Sequence, residues 1–307
     1  MRILFMGTPD IAAKCLNTLL HGGITVVGAV SQPDRPKGRG HKLAPTDVKL
    51  AAQQADIPVF QPEKIKSGEL LPVLEELKPD LIAVVAYGKI LPEYVLSYPK
   101  YGCVNMHASL LPKHRGAAPI QWAVLNGERE TGVTTMLMDK GLDTGDILLT
   151  KRLEIGEYET SEELFSRMAE AGGELLLETL LNIKNITPKK QNEAEATYAP
   201  MLTKEMAHIN WGDSTEKISK LICGMNSWPM AYSVYKGDTV KIISAIKGEA
   251  VKGKNGELIS FETGKGIRVK TADGSIYIKE LQFAGSKRMN AEDYLRGHKV
   301  EFGEVLC

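Results

Sequence analysis

Asn105 and His107 are the two residues of this chain whose types and spacing most directly suggest chemistry. They lie two positions apart at the end of a short apolar run, so an extended strand would place their side chains on one face. An amide can stabilise a developing oxyanion, and an imidazole can transfer protons at neutral pH, so the pair suits acyl transfer to an amine. Asp143 could supply the carboxylate that orients His107 or accepts a proton from an attacking amine.

Each of these residues also has an ordinary structural interpretation. His107 could be a satisfied core histidine, Asp143 a turn residue and Asn105 a cap at a strand end. Residue types and spacing alone do not bring the three together in space, so both interpretations stay open at this point.

Near-continuous apolar runs alternate with amphipathic helical patterns through the first half of the chain. Because apolar strands separated by helices are typical of a parallel sheet covered on both faces, we predict a Rossmann-like α/β domain. The predicted strands lie at 2–6, 24–30, 81–86, 102–106 and 133–138, and the predicted helices at 9–20, 46–55, 65–77 and 161–181.

The first strand is followed by Gly7-Thr8-Pro9-Asp10 instead of the Gly-x-Gly-x-x-Gly pattern of dinucleotide-binding folds. This departure disfavours NAD. We interpret Thr8 or Asp10 as the cap of the first helix, with Pro9 in its first turn.

The second half of the chain changes its periodicity. A polar, lysine-bearing segment at 183–206 is typical of a linker. Short strand-like runs separated by turn signals then predict a small β-barrel, for which an oligonucleotide-binding (OB-like) fold is a candidate. We therefore predict a catalytic domain at 1–182, a linker at 183–206 and a C-terminal OB-like domain at 207–307, with strands at 231–235, 239–246, 257–261, 266–271 and 275–279.

The composition is that of a globular protein of 307 residues, with 43% hydrophobic and 25% charged residues. Lys plus Arg and Asp plus Glu total 38 each, so net charge argues neither for nor against a polyanionic partner. The four cysteines form no Cys-x-x-Cys pair, which makes a zinc or redox motif unexpected. Without a signal-peptide pattern or an apolar run of membrane length, the sequence favours a cytoplasmic location.

The segment Asn105-x-His107-x-Ser109-Leu110-Leu111-Pro112, together with Arg115-Gly116 and Asp143-Thr144-Gly145, resembles the signature of the folate-dependent formyltransferases. The resemblance covers essentially the whole chain. It favours the branch of the family that acts on methionine carried by initiator tRNA. The segments that indicate this branch are 7–10, 32–36, 38–40, 119–123, 196–199, 209–211 and 226–229.

This resemblance implies a reaction and a set of site residues. The cosubstrate would be 10-formyltetrahydrofolate, the acceptor would be the α-amine of methionine, and no metal would take part. Asn105 and His107 would stabilise the oxyanion, while Asp143 would set the charge of His107 and assist proton transfer. The implied folate contacts are Tyr87, Gly88, Lys89, Ile90, Leu91, Ser109, Leu110, Leu111 and Pro112.

The resemblance also implies contacts with tRNA. Residues 31–43 match an inserted basic loop that touches the acceptor end of the tRNA, with Arg39 at the position of its key arginine. Phosphate contacts of this kind give salt-sensitive affinity and little base information. Surface solubility alone is an equally good explanation for any single lysine. The implied tRNA contacts are Arg35, Lys37, Arg39, Lys42, Lys189, Lys190 and Lys204.

The expected partners are therefore methionyl initiator tRNA and the folate cosubstrate, with no membrane, and the protein is expected to be a monomer. Three rival functions differ in what they need. A formyltransferase for a small amine would not require the basic loop and the C-terminal domain. A non-catalytic RNA-binding protein would not require Asn105, His107 and Asp143. A hydrolase of formyltetrahydrofolate would turn the folate over without tRNA.

Overall fold

A computed structural model describes residues 1–37 and 42–307 of the chain. The described residues form two compact units. The first unit contains 1–119, 131–153 and 165–199, and the second contains 120–130, 154–164 and 200–307. The domain boundaries at 182 and 206 stay a prediction.

Strands and helices alternate through the first unit, and strands dominate the second. The strands are β1 Arg2–Gly7, β2 Thr25–Val30, β3 Arg35–Lys37, β4 Lys42–Ala44, β5 Val59–Phe60, β6 Leu81–Val85, β7 Cys103–His107, β8 Arg115–Gly116, β9 Glu130–Leu137, β10 Ile147–Glu154, β11 Tyr198–Ala199, β12 Tyr232–Tyr235, β13 Asp238–Gly248, β14 Leu258–Glu262, β15 Gly266–Lys270, β16 Ser275–Phe283 and β17 Met289–Asn290. The helices are α1 Asp10–His21, α2 Asp47–Gln54, α3 Leu71–Leu77, α4 Glu93–Leu96, α5 Pro119–Leu125, α6 Ser161–Asn182, α7 Thr215–Gly224 and α8 Ala291–Gly297, with 3-10 turns at Ile65–Ser67, Glu193–Glu195 and Glu205–Ala207.

The main sheet of the first unit has the strand order β10-β9-β7-β6-β1-β2-β5. The run from β5 through β2, β1 and β6 to β7 is parallel, as predicted for a Rossmann-like domain. Strand β9 then pairs with β7 in the antiparallel direction, so the sheet is mixed at this side. The chain turns back from β9 to β10 through a short loop, and Asp143 lies in that loop.

The central strands are buried on both faces because helices cover each side of the sheet. Leu4 and Met6 of β1 pack with residues of α3 and α4 in one apolar cluster, and Cys103 of β7 belongs to the same cluster. On the opposite face, Met106 of β7 lies against Gly172 of α6. Full burial of an aliphatic side chain contributes about 1.5–3 kcal/mol, so these two layers hold the ends of the strands in place.

The second unit contains one antiparallel half-barrel sheet, in the order β12-β13-β16-β15-β14 with β17 on β16. The five predicted strands therefore pair as expected for a small β domain. Helix α7 was not predicted. It is capped by Ser214, whose hydroxyl accepts a hydrogen bond from the main-chain N–H of Lys217.

Two local predictions are wrong. The helix predicted at 65–77 is two pieces, because Gly68 adopts a φ of +90° between the 3-10 turn Ile65–Ser67 and α3. Thr8 does not cap α1: the residue at the cap position is Pro9, and the Thr8 hydroxyl donates to the main-chain oxygen of Tyr87 at 3.1 Å. Thr8 thus connects the ends of β1 and β6.

Candidate active site

Strand β7 presents Asn105 and His107 on the same face of the sheet, as their spacing predicts. That face is the one that carries Cys103, since side chains alternate along a strand. Both polar side chains are buried, with exposed fractions of 9% for Asn105 and 6% for His107. No residue that the structure describes forms a hydrogen bond with the side-chain amide of Asn105. Its donors are therefore available to a ligand.

The orientation of the His107 ring follows from its hydrogen bond. Nε2 of His107 lies 2.9 Å from the main-chain oxygen of His114, and a carbonyl oxygen can only accept. Nε2 therefore carries a hydrogen. Nδ1 lies 3.7 Å from Oδ2 of Asp143, so it is the nitrogen that can gain or lose a proton beside this carboxylate.

Asp143 lies in the loop between β9 and β10, with a φ of +55°. Its Oδ2 accepts a hydrogen bond from the main-chain N–H of Gly116 at 2.8 Å. The main-chain oxygens of Asp143 and Gly145 both accept from Nε2 of Gln191, at 2.8 and 2.7 Å. Gly116 thus holds the carboxylate of Asp143, and Gln191 holds its main chain.

Arg115 is fully buried in the protein interior. Its guanidinium donates to Oε1 of Gln191 and forms a bidentate pair with the carboxylate of Glu193 at 2.8–2.9 Å. The hydrogen bond to Glu193 is the main cause that raises the pKa of Arg115, and the same bond lowers the pKa of Glu193. A buried cation is expensive without such partners, so this group is fixed in the folded state.

The loop that follows β7 is closed by its own polar groups. The Ser109 hydroxyl donates to the main-chain oxygen of Lys113 at 2.6 Å, which leaves its oxygen as an acceptor. The Thr134 hydroxyl donates to the main-chain oxygen of Ser109 and accepts from the N–H of Leu111. Of the predicted folate contacts in this loop, Ser109 and Leu111 are buried and Leu110 and Pro112 are half-buried.

The other predicted folate contacts follow β6. Tyr87 is buried, and burial raises the pKa of its phenol to about 12. Lys89 donates from Nζ to the main-chain oxygens of Glu63 and Pro62, at 2.8 and 3.3 Å, so it ties this segment to the loop after β5. Gly88 and Ile90 are exposed and Leu91 is buried, which leaves a short exposed surface with Ile90 at 66% exposure.

The basic loop follows β2, and hydrogen bonds of Asp34 anchor its base. Asp34 accepts from Nζ of Lys49 and from Nε2 of Gln61, each at 2.7 Å. Strands β3 and β4 pair as a hairpin, with an exposed Arg35 at one end and Lys37 and Lys42 opposite each other. Arg39 lies outside the described residues. Lys189, Lys190 and Lys204 are all exposed.

The sequence pattern indicates no role for Gln191, Glu193 and Thr134, which shape this site. Gln191 and Glu193 lie in a segment that was interpreted as a linker, and nothing in their spacing pointed to Asp143. Arg115 belongs to the motif, but the sequence did not indicate that its side chain is buried.

Residues 1–37 and 42–307 contain no group of three or more His, Cys, Asp or Glu residues that could hold a metal ion. None of their helices is long and apolar enough to span a membrane.

Comparison with known proteins gives the family of this chain. The model of the formyl transferase family matches residues 1–180, and that of the formyl transferase C-terminal domain matches 201–299. Methionyl-tRNA formyltransferase from Alkaliphilus oremlandii is 46% identical over 309 residues, which cover 100% of this chain and 99% of the relative. The enzyme of the same name from Clostridium perfringens is 48% identical over 311 residues and 100% of both chains.

Solved structures show the same fold at lower identity. HypX from Aquifex aeolicus, in complex with tetrahydrofolic acid, has a TM-score of 0.67 and is 20% identical to this chain. The match covers 99% of this chain and 50% of HypX, so this chain spans about half the length of HypX. WlaRD, a sugar 3N-formyl transferase, has a TM-score of 0.65 at 18% identity, with 94% of this chain and 99% of that one covered. The matches over the full length decide the relationship: this chain belongs to the formyl transferase family, with the methionyl-tRNA formyltransferases as its full-length relatives.

Proposed function

We propose that this protein transfers the formyl group of 10-formyltetrahydrofolate to the α-amine of methionine carried by initiator tRNA. The amine nitrogen bonds to the formyl carbon, the bond from that carbon to the folate nitrogen breaks, and the proton lost by the amine ends on that folate nitrogen. The observation that carries the proposal is the approach of His107 to Asp143, at 3.7 Å, beside the amide of Asn105 on the same strand face.

In this proposal Asn105 and His107 stabilise the negative charge that develops on the formyl oxygen. The amide of Asn105 has no described protein partner, so its N–H groups can be directed at that oxygen. When Nδ1 of His107 is protonated, the imidazolium adds a positive charge near that oxygen. Removal of one such donor typically costs about 10²–10³ in kcat.

Asp143 stabilises the protonated form of His107 and takes part in moving the proton. The Nδ1 atom of His107 is the exchangeable position, since the hydrogen on Nε2 is committed to the main-chain oxygen of His114. The Asp143–His107 pair can then accept the proton of the attacking amine and return it to the departing folate nitrogen. Loss of the carboxylate would leave the imidazole without the charge that favours its protonated state.

We propose that the folate lies along residues 87–91 and 109–112. Ile90 is the residue of this set with a large exposed apolar side chain, and an aromatic ring system can pack on it. Tyr87, Leu91 and Leu111 would act from beneath by fixing the shape of the surface, because they are buried. Main-chain groups would supply the hydrogen bonds.

The tRNA is proposed to bind through the basic loop, through Lys189, Lys190 and Lys204, and through the domain at 207–307. Arg35 and these three lysines are exposed, which phosphate contacts require. We further propose that the protein acts as a monomer in the cytoplasm, where charged tRNA is used. Sedimentation and cell fractionation test these two points.

The decisive experiment is label transfer from radiolabelled 10-formyltetrahydrofolate to methionyl initiator tRNA, methionyl elongator tRNA and free methionine in parallel. We expect transfer to initiator tRNA alone. His107→Ala should abolish it while tRNA affinity stays nearly intact, and His21→Ala, at the exposed end of α1, is the matched control.

Other outcomes would overturn the proposal and indicate a different function. Transfer to free amines would indicate a formyltransferase for small substrates. Folate consumption without any acceptor would indicate a hydrolase. Binding of tRNA without folate consumption would indicate a non-catalytic RNA-binding protein.

A further inference from the structure

The side chain of Gln191 holds two main-chain groups of the loop that carries Asp143. Its Nε2 atom lies 2.8 Å from the main-chain oxygen of Asp143 and 2.7 Å from that of Gly145. A primary amide has two hydrogens, and both are used here. One side chain therefore fixes two peptide groups of the loop that carries Asp143.

Arg115 determines which way this amide points. A guanidinium can only donate and the two loop carbonyls can only accept, so Oε1 of Gln191 must face Arg115 and Nε2 must face the loop. The distances agree, with Oε1 at 2.8 Å from Nη2 and 3.1 Å from Nε of Arg115. Glu193 neutralises the guanidinium from its other edge.

The main chain adds two further attachments. Gly116 follows Arg115 and donates its N–H to Oδ2 of Asp143 at 2.8 Å. Lys189 and Ile147 exchange both main-chain hydrogen bonds at 2.8 Å, which seats the segment that carries Gln191 beside the end of the same loop. The loop is therefore held from residues 115–116 on one side and 189–191 on the other.

We propose that Gln191 is a positioning residue for formyl transfer, acting through the backbone of Asp143 to hold its carboxylate at the proton-exchanging nitrogen of His107. This rests on the proposed function. The described hydrogen bonds of the Gln191 side chain go to Arg115, Asp143 and Gly145, so its effect on His107 passes through Asp143. A glutamate in its place would keep the pairing with Arg115 but would have no hydrogens for the two carbonyls, and would add a charge that repels them.

The test compares Gln191→Glu and Gln191→Met with Asn192→Asp in the full chain. Among the described residues, the Asn192 side chain bonds only within 192–195, and Asn192→Asp provides the same amide-to-carboxylate change one residue away. We expect kcat to fall about 100-fold in both Gln191 variants, as for a catalytic group displaced by about 1 Å. KM for folate and tRNA should change by less than roughly threefold, because no substrate contact is removed. Asn192→Asp should resemble the wild type.

A double-mutant cycle separates positioning from a general loss of structure. If Gln191 acts through Asp143, the change Gln191→Met should cost little further activity in an Asp143→Asn background. Equal losses in the two backgrounds would overturn the proposal, as would a rise in KM that accounts for the whole defect. Thermal unfolding of each variant checks that the activities are compared between folded proteins.

A spectroscopic readout keeps this test independent of the activity. The ring ¹³Cε1 resonance of His107, assigned by its absence in His107→Ala, should shift in Gln191→Glu in the same direction as in Asp143→Asn. An unchanged resonance would overturn the positioning role even if the enzyme is active. A wild-type protein that transfers no formyl group would overturn the proposed function instead, and the resonance would still report on Gln191.

Discussion

The oxygen of Asp143 that accepts the main-chain N–H of Gly116, at 2.8 Å, is also the oxygen nearest to the ring of His107. A single carboxylate oxygen thus receives a hydrogen bond from one side and faces Nδ1, 3.7 Å away, on the other. The hydrogen bond from Gly116 holds this oxygen beside the imidazole ring. The backbone of residue 116 therefore belongs to the chemistry of the site.

Gly116→Ala should disturb both the fold and the site. Gly116 has a φ of +119°, and an added Cβ would lie 2.8 Å from the main-chain oxygen of Ala199, which cannot swing away. We expect the free energy of unfolding to fall by about 1–3 kcal/mol and kcat to fall at least tenfold. Urea unfolding and formyl transfer measure the two effects.

Gly68→Ala is the control for this substitution. Gly68 also has a positive φ, of +90°, but an added Cβ would meet no atom within 4 Å. Gly68→Ala should lower the free energy of unfolding because alanine is strained at this φ, but it should leave kcat unchanged. If the two variants lost the same activity, the close contact at Gly116 would not matter to the site.

Asn105→Ala should reduce kcat by about 10²–10³ through loss of an oxyanion donor. KM for the folate should change little. The amide has no described protein partner, so the free energy of unfolding should stay close to that of the wild type. Asn185→Ala, at an exposed position, is the control, and steady-state kinetics with chemical unfolding distinguish the cases. A variant that unfolds without losing activity per folded molecule would contradict the assigned role.

Arg39→Ala should impair the use of tRNA much more than the binding of folate. We propose that Arg39 contacts a phosphate of the tRNA, and removal of one such contact should lower the slope of log affinity against log salt by about 1. Lys66→Ala removes one exposed positive charge elsewhere in the first unit and serves as the control. Titration of both ligands at several salt concentrations measures the effect, and equal losses for tRNA and folate would refute the loop assignment.

Asp34 should make a pH-dependent contribution to stability. The hydrogen bonds from Gln61 and then Lys49 lower the pKa of Asp34 below its ordinary value of 3.8. Because the folded-state pKa is lowered, the contribution is present above pH 3.8 and is lost as the pH falls through the lower, folded-state value. Unfolding free energies of the wild type and Asp34→Asn should therefore differ at neutral pH and converge in acid. A constant difference would exclude ionisation as the cause.

A single thiol of the native protein should react rapidly with a disulfide reagent. Burial raises the pKa of Cys15 and Cys103 to about 12 and that of Cys223 to about 11, whereas Cys307 is exposed. The buried thiols lack both access and thiolate at neutral pH. Cys307→Ser should remove the rapid phase, and denaturant should release the other three of the four cysteines. Rapid modification of more than one native thiol would contradict this.

The residues that could be predicted are those whose role follows from local periodicity. Asn105 and His107 share a face because side chains alternate along a strand, and Pro112 and Gly116 mark the loop that follows. The parallel strands of the main sheet could also be predicted from a local pattern, the apolar runs separated by helices. Its antiparallel strand β9 was not, because an apolar run carries no information about the direction of its partner.

The role of Gln191 could not be predicted, because it depends on contacts between segments far apart in the chain. It lies 48 residues from Asp143, and a polar residue in a lysine-bearing stretch has the same local pattern in a linker as in a docked segment. Helix α7 differs, since Ile218 and Ile222 have helical spacing and Ser214 is a good cap. Its signal was present in the sequence.

The attachment of Asp143 to residues 189–191 and of Gly116 to Ala199 also sets an order of events during synthesis. All strands of the main sheet have been made once residue 154 is complete, but Gln191, which bonds the main chain of the Asp143 loop, and Ala199, which pairs with Gly116, are made later. Since chains fold from the N-terminus as they emerge, a nascent first unit can assemble its sheet and still lack a positioned acid. The first unit therefore receives the last groups of its proposed site well after all strands of its main sheet have been made.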